Sequence, residues 1–448
     1  MVKSLWSNVK GKKSDSSNRR RPFIEATAVK SDLNGKLRGT ANQILAAMGY
    51  NYWVPKIPGQ KGLRILCLDG GGSRGMTSVI AVNEMVKALG GVEVADCFDL
   101  VVGTSTGGII AFLVGLKRET SEKAIERYDV LIPAIFTKSA LSTPLLLFTT
   151  ATYDESPFMD VLSDILGDET MLDSRADPSV PYVFAVTSKM SSTPTHVALF
   201  RNYNYNGGEL PDPFLITPED ARENLGIALD SEDERVRSSD YPKRKRETET
   251  APWRRQQDGS RHPGSFRVLQ RYALRASTAA PTVFKPVLMG GEMYCDGGIV
   301  ASNPTAIGIH EARTLFPDVP IEMVVSIGTG GFLEQKSAPR IGWDGIIGQI
   351  VDSACDGEQI HHILEDILGD ASNQLKRSSS ISNTKYVRFN PILGFPDDFP
   401  IDITDPKKLE KIKQITRAYM NAPEQQRKLK DLADLLQGRT RFQRWFRR

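Results

Sequence analysis

Two short apolar runs, each closing on a cluster of glycines and each followed by a helical pattern, constrain this chain more than any other feature. The first, Arg64-Ile-Leu-Cys-Leu-Asp69, runs into Gly70-Gly71-Gly72-Ser73-Arg74-Gly75 and then into helical spacing from Met76 to Leu89. The second, Phe98-Asp-Leu-Val-Val102, turns at Gly103-Thr-Ser-Thr-Gly107 and continues as the apolar run Ile109 to Leu116. Runs that are apolar at nearly every position suit strands buried on both faces, and strand–turn–helix units in series build a parallel sheet flanked by helices. Further strands are expected at Tyr182–Thr187 and Glu322–Ile327, so an α/β fold with a mainly parallel sheet is expected over 62–335.

Around that unit the composition shifts. Residues 1–37, rich in Lys, Arg and Ser, are expected to be disordered, and 38–61 to form a helical lead-in through Ala41–Tyr50. The stretch 206–264 mixes Pro, Gly and acids with the basic run Lys243–Arg246, and suits a flexible insertion. A solvated loop is favoured there over a localisation or phosphate-binding signal. Residues 336–436 are expected to form a helical C-terminal extension packed on the α/β unit, and 437–448 a basic aromatic tail. With 57 Lys and Arg against 54 Asp and Glu, no nucleic-acid partner is expected. Cys67, Cys97, Cys295 and Cys355 form no CxxC pair, which argues against a zinc knuckle or disulfide scaffold and for a reducing compartment. No run approaches the roughly 20 apolar residues of a membrane span, and no secretory signal is evident.

Chemistry enters with Gly103-Thr-Ser105-Thr-Gly107. A G-x-S-x-G sequence between a buried strand and a helix suits a nucleophile elbow, whose sharp turn tolerates only small residues two before and two after the serine. Such a turn lifts the hydroxyl above the sheet at a helix N-terminus, where developing negative charge is favoured. The glycine run from Gly70 to Gly75 has two readings. As G-x-G-x-x-G it would cradle a dinucleotide; as an oxyanion loop it would present N–H groups to a carbonyl oxygen, with Arg74 supporting the loop. An elbow on a neighbouring strand favours the second reading, because both loops then leave the same edge of one sheet.

Asp296-Gly297-Gly298 on its own suits a structural turn. A serine hydrolase needs a base, however, and the histidines are only His196, His262, His310, His361 and His362. His310 has the spacing of a helix-face packing residue, so a carboxylate acting directly on the serine stands beside a Ser–His–Asp arrangement as a candidate.

The three motifs in this order, D-G-G-G-x-R-G, G-T-S-T-G and D-G-G, resemble the patatin-like phospholipase family. Ala41–Tyr50, Phe200–Asn204, Arg271–Phe284, Asp296–Glu311 and Val351–Pro391 are similar to its calcium-independent phospholipase A2 gamma branch. The likeness covers about 40–436 apart from the insertion, which is foreign to the pattern. It implies a three-layer α/β/α fold and a serine-type carboxylic ester hydrolase with a Ser–Asp dyad, Ser105 as nucleophile and Asp296 as base. Gly71, Gly72 and Arg74 would then belong to the oxyanion loop, and Gly70, Gly75, Gly103, Gly107, Gly297 and Gly298 would shape the supporting turns. The implied substrates are glycerophospholipids and lysophospholipids, with no cofactor and no metal. The alternative from another class is a catalytically silent lipid-binding or scaffold protein on the same fold.

Phospholipid substrate makes peripheral membrane contact an expectation, with an intracellular location on a cytoplasmic, mitochondrial or peroxisomal surface. For Leu141–Phe148 a buried core role is favoured over a lipid-facing lip. Leu429, Leu432, Leu435 and Leu436 make a helical stripe, and Arg439–Arg448 interleaves Phe442, Trp445 and Phe446 with arginines, a mixture that suits an anionic membrane surface. An RNA-binding or simply solvated tail competes with that reading.

Overall fold

The computed structural model describes residues 35–136, 153–206, 261–281, 283–333, 357–368 and 384–436. The expectations for 1–34, Leu141–Phe148, Lys243–Arg246 and 437–448 lie outside them. In chain order the elements are α1 (Gly35–Ala47), β1 (Leu63–Leu68), α2 (Gly75–Ala88), β2 (Leu100–Thr104) and α3 (Thr106–Ala111), followed by a π-helical turn at Phe112–Leu116. Next come α4 (Ser121–Ile135), α5 (Ser156–Leu166), β3 (Tyr182–Lys189), β4 (His196–Arg201), β5 (Gly264–Ser265), α6 (Gln270–Ser277), β6 (Val287–Met289) and β7 (Glu292–Asp296). After a short helical turn at Gly298–Ala301 come α7 (Thr305–Leu315), β8 (Ile321–Ile327), β9 (Gly331–Phe332), α8 (Glu358–Leu368), β10 (Lys385–Phe389), β11 (Ile392–Gly394), α9 (Pro406–Met420) and α10 (Pro423–Leu436).

Strands β10, β8, β1, β2 and β3 lie side by side and parallel, and β4 and β5 extend the sheet beyond β3. Side chains alternate across this sheet, as strand geometry demands. Leu66 and Leu68 enter one core with residues of α2, α3, α4, α9 and α10. Leu63, Ile65 and Cys67 enter the other, with Ile309 and Ala312 of α7 and Leu364 of α8. The result is the expected α/β/α sandwich, and the fully buried β1 and β2 explain why their sequences are nearly all apolar.

Some expectations need correcting. Residues 336–436 are not wholly helical, because Lys385–Phe389 is the edge strand of the central sheet, pairing with Met323–Ile327. Its Val387 and Phe389 are buried in the sheet's own core. The leucine stripe of α10 faces inward: Leu429, Leu432 and Leu436 are buried against α2 and its neighbours, so that stripe is core. Helix α1 begins at Gly35, inside the segment expected to be disordered, and the insertion's last residue, Gly264, is already in a strand beside Leu199. Among the described residues no helix is long and apolar enough to cross a membrane.

Candidate active site

Ser105 sits where β2 gives way to α3, with φ 52° and ψ −123°, a backbone conformation that a residue bearing a Cβ rarely adopts. Its flanking glycines make the turn sterically feasible. A Cβ at Gly103 would lie 2.2 Å from the Gly107 carbonyl carbon, and one at Gly107 would lie 2.2 Å from the Leu68 oxygen. The turn is held from outside as well. Ser105 N–H donates to Ser277 Oγ at 3.0 Å, Ser277 Oγ donates to Val186 O at 2.6 Å, and Thr104 Oγ1 donates to Ala301 O at 2.8 Å.

Sheet register brings Asp296 to this serine across 191 residues of chain. β2 runs parallel to β3 and ends with Thr104 opposite Val186, while β7 runs antiparallel to β3 and ends with Asp296 opposite Thr187. The two strands therefore meet head to head in one slot beside β3, and their ends present Ser105 and Asp296 to each other. Ser105 Oγ donates to Asp296 Oδ2 at 2.7 Å, and Gly298 N–H donates to Oδ1 at 2.6 Å, so both carboxylate oxygens are engaged. A Cβ at Gly297 would strike the Val186 oxygen at 2.3 Å, so the strand end closes only with glycine there. Burial pushes the Asp296 carboxyl up to about 6, against the pull of the Gly298 and Ser105 hydrogen bonds.

Opposite lies the glycine loop after β1. Gly70 N–H donates to Ser302 O at 3.0 Å, Ser73 N–H to Ile401 O at 2.8 Å and Arg74 N–H to Gly71 O at 3.2 Å. Among the described residues the N–H groups of Gly71 and Gly72 meet no acceptor, and Thr106 N–H, first in its helix, has none within that helix. All three residues line a cavity of about 300 Å³ together with Ser105 and Asp296. The rest of its wall is largely apolar, including Ile135, Phe136, Ala280, Val283, Ile299 and Ile401. Arg74 does not line the cavity. Its guanidinium lies 5.0 Å from the Phe332 ring centroid and its Nε donates to Gly71 O at 3.4 Å, which braces the loop from behind.

Among the described residues no histidine lines this cavity. His310 lies on α7 with its ring 5.3 Å from that of His262. Two groups, His262–His310–Glu311 and His361–His362–Glu365, have donor atoms spaced within reach of a metal ion. In the first, however, Glu311 already accepts from Tyr203 Oη at 2.6 Å and Tyr205 Oη at 2.8 Å, and neither group borders the cavity. No sequence motif singles out Ser277, Tyr128, Ile401 or Arg388, which the fold brings to the site together with Thr329. Tyr128 Oη donates to Gly72 O at 2.8 Å, and Arg388 pairs with Asp69 at 2.7 Å at the root of the glycine loop. Only Thr329 carried a legible signal, since Gly328-Thr-Gly330 follows β8 as the other glycine turns follow β1 and β2.

Fold and site together define a three-layer α/β/α protein carrying a buried serine–aspartate pair at the convergence of two strand ends. Residues 66–309 match the family described as patatin-like phospholipase, over half of the chain, and the chain belongs to that family. It is 28% identical over 414 residues to calcium-independent phospholipase A2-gamma of Homo sapiens, covering 91% of this chain and 44% of that protein. It is 29% identical to phospholipase A I of Arabidopsis thaliana, over 82% of this chain and 27% of that protein. To the cGAMP-activated phospholipase of Vibrio cholerae it is 24% identical, over 61% of this chain and 66% of that protein. The chain thus spans less than half the length of the first two relatives.

Proposed function

We propose that this chain is a lipid acyl hydrolase that frees fatty acids from glycerophospholipids through an acyl-enzyme on Ser105, with Asp296 as general base. The observation that carries this reading is the 2.7 Å hydrogen bond from Ser105 Oγ to the buried Asp296 carboxylate, at the wall of an apolar cavity. As Oγ attacks the ester carbonyl, its proton passes to Oδ2, and the carbonyl oxygen becomes an oxyanion facing the N–H groups of Gly71, Gly72 and Thr106. The tetrahedral intermediate collapses when the protonated Asp296 gives that proton to the departing alkoxide, releasing a lysolipid. Water, deprotonated by Asp296, then attacks the acyl-enzyme and returns the serine with a free fatty acid. A carboxyl at about 6 suits this shuttle, because a base works best when its pKa lies near the working pH. The substrate class follows the relatives' names, calcium-independent phospholipase A2-gamma and phospholipase A I, and the apolar wall suits an acyl chain.

The test is fatty-acid release from phosphatidylcholine vesicles by the wild-type chain and by Ser105→Ala and Asp296→Ala. Each variant is expected to lose at least about a thousandfold in kcat, and Ser105→Ala to lose labelling by a fluorophosphonate probe. Undiminished release by either variant sinks the mechanism, and a wild-type chain that neither labels nor turns over points instead to a silent lipid-binding fold.

A further inference from the structure

In a trans peptide the C=O and N–H point in opposite directions, so whatever holds a carbonyl also aims the next residue's N–H. The loop after β1 offers two such peptides. Gly71 O, in the peptide that carries Gly72 N–H, accepts from Arg74 N–H at 3.2 Å and Arg74 Nε at 3.4 Å, a hold provided by the loop itself. Gly70 O, in the peptide that carries Gly71 N–H, accepts from Thr329 Oγ1 at 3.1 Å and from Ser302 Oγ at 3.3 Å. The first of these donors comes from a different strand end, 259 residues away in sequence.

Thr329 is well placed for this. It is 6% exposed and stands in the turn that closes β8, between Gly328, whose N–H donates to Phe389 O at 2.9 Å, and Gly330, whose N–H donates to Asn390 Oδ1 at 2.7 Å. The turn is therefore pinned to the end of β10, and the hydroxyl has little freedom to drift. It also sits hard against the loop. A Cβ at Gly71 would lie 2.2 Å from Thr329 Oγ1, so glycine at 71 and threonine at 329 fit as a pair.

We infer that Thr329 is a positioning residue of the proposed hydrolase: its hydroxyl holds the Gly70–Gly71 peptide so that Gly71 N–H stays aimed at the oxyanion. The inference rests on the hydrolase reading given above. It assigns Thr329 no contact with substrate and no proton to move. A donor held out of line should weaken stabilisation of the transition state while leaving ground-state binding and the titration of Asp296 alone.

Steady-state kinetics on phosphatidylcholine vesicles and on a soluble p-nitrophenyl ester test this with Thr329→Val, Thr329→Ala and Thr329→Ser, beside wild type and Ser105→Ala. Thr329→Val keeps the shape and removes the donor; Thr329→Ala removes the donor without steric demand, which guards against misfolding of the first. Both are expected to lose about tenfold to a hundredfold in kcat, with KM within about twofold and the acid limb of the pH profile unmoved. Thr329→Ser, which restores the hydroxyl, is expected to return kcat to within about threefold of wild type. An active wild type with unimpaired Thr329→Val and Thr329→Ala overturns the inference alone. So does a loss carried by KM, or one that Thr329→Ser leaves in place. A wild type as inert as Ser105→Ala overturns the hydrolase reading and this inference with it.

Discussion

At the scale of single residues, Asp296 carries a conflict between chemistry and stability. Its carboxyl is buried with Ser105 and Gly298 as hydrogen-bond donors, and burial still wins, raising it from 3.8 to about 6. Because the proposed base must be ionised to accept a proton, kcat/KM is expected to fall tenfold per pH unit below about 6, and a rate profile flat down to pH 4.5 would contradict that proposal. The same shift has a sign for folding. The folded state holds its proton more tightly than the unfolded one, so ionising Asp296 opposes folding by about 2 to 3 kcal/mol once the pH is above 6. Asp296→Asn keeps an acceptor for Gly298 N–H and turns a donor toward Ser105. It is therefore expected to abolish turnover yet raise the melting temperature at pH 7.5. That advantage shrinks as pH falls from 6 toward 3.8 and is gone below, which thermal melts across that range would reveal. A destabilised Asp296→Asn at pH 7.5 would mean that the charge is better solvated than its burial indicates.

At the scale of elements, legibility followed how local each requirement is. The elbow at Ser105 could be read from the sequence because its steric demand falls on Gly103 and Gly107 within two residues, and the buried β1 and β2 could be read because both of their faces must be apolar. Asp296 could not be derived that way. What makes it more than a glycine turn is the head-to-head meeting of β2 and β7 beside β3, a matter of register among strands far apart in sequence, so family resemblance had to supply it. Strand β10, with its buried Val387 and Phe389, reads in the sequence as part of a helical extension because five residues of edge strand carry little periodic signal beside three helices. The local demand is itself testable. A Cβ at Gly107 would meet backbone oxygen at 2.2 Å, whereas one at Gly108 would meet the Ala185 Cβ at an ordinary 3.5 Å. Gly107→Ala is expected to lose about 4 kcal/mol or more, by strain against backbone that does not yield. Gly108→Ala, inside α3, is expected to hold its stability or gain up to about 1 kcal/mol from helix propensity. Chemical denaturation of both variants checks the pair, and equal losses would show that the elbow is looser than its contacts imply.

At the scale of the whole molecule, the C-terminal region and the site are one object. Arg388 of β10 donates to Asp69 and to Glu358, each at 2.7 Å, and to Ser326 Oγ at 2.7 Å, which ties the root of the glycine loop to the sheet edge. Ile401 O accepts from Ser73 N–H at 2.8 Å and from Ser73 Oγ at 3.0 Å, and Ile403 N–H donates to that same Oγ at 2.8 Å, so the segment before α9 grips the loop from the other side. Removing a partner from a buried ion pair costs about 3 to 5 kcal/mol, but the larger effect is apolar. Val387, Phe389, Ile412, Met420, Leu429 and Leu432 are buried in the core they share with α2 and β1. At about 1.5 to 3 kcal/mol each these six contribute about 10 to 20 kcal/mol, as much as the whole net stability of a typical domain. A chain ending at residue 383 is therefore expected to show no cooperative unfolding transition by circular dichroism and no fluorophosphonate labelling, although it retains Ser105, Asp296 and every glycine of the two loops. A truncated chain that melts cooperatively would make the region after 383 an accessory, and the loop contacts of Ile401 and Arg388 would then be incidental to the site.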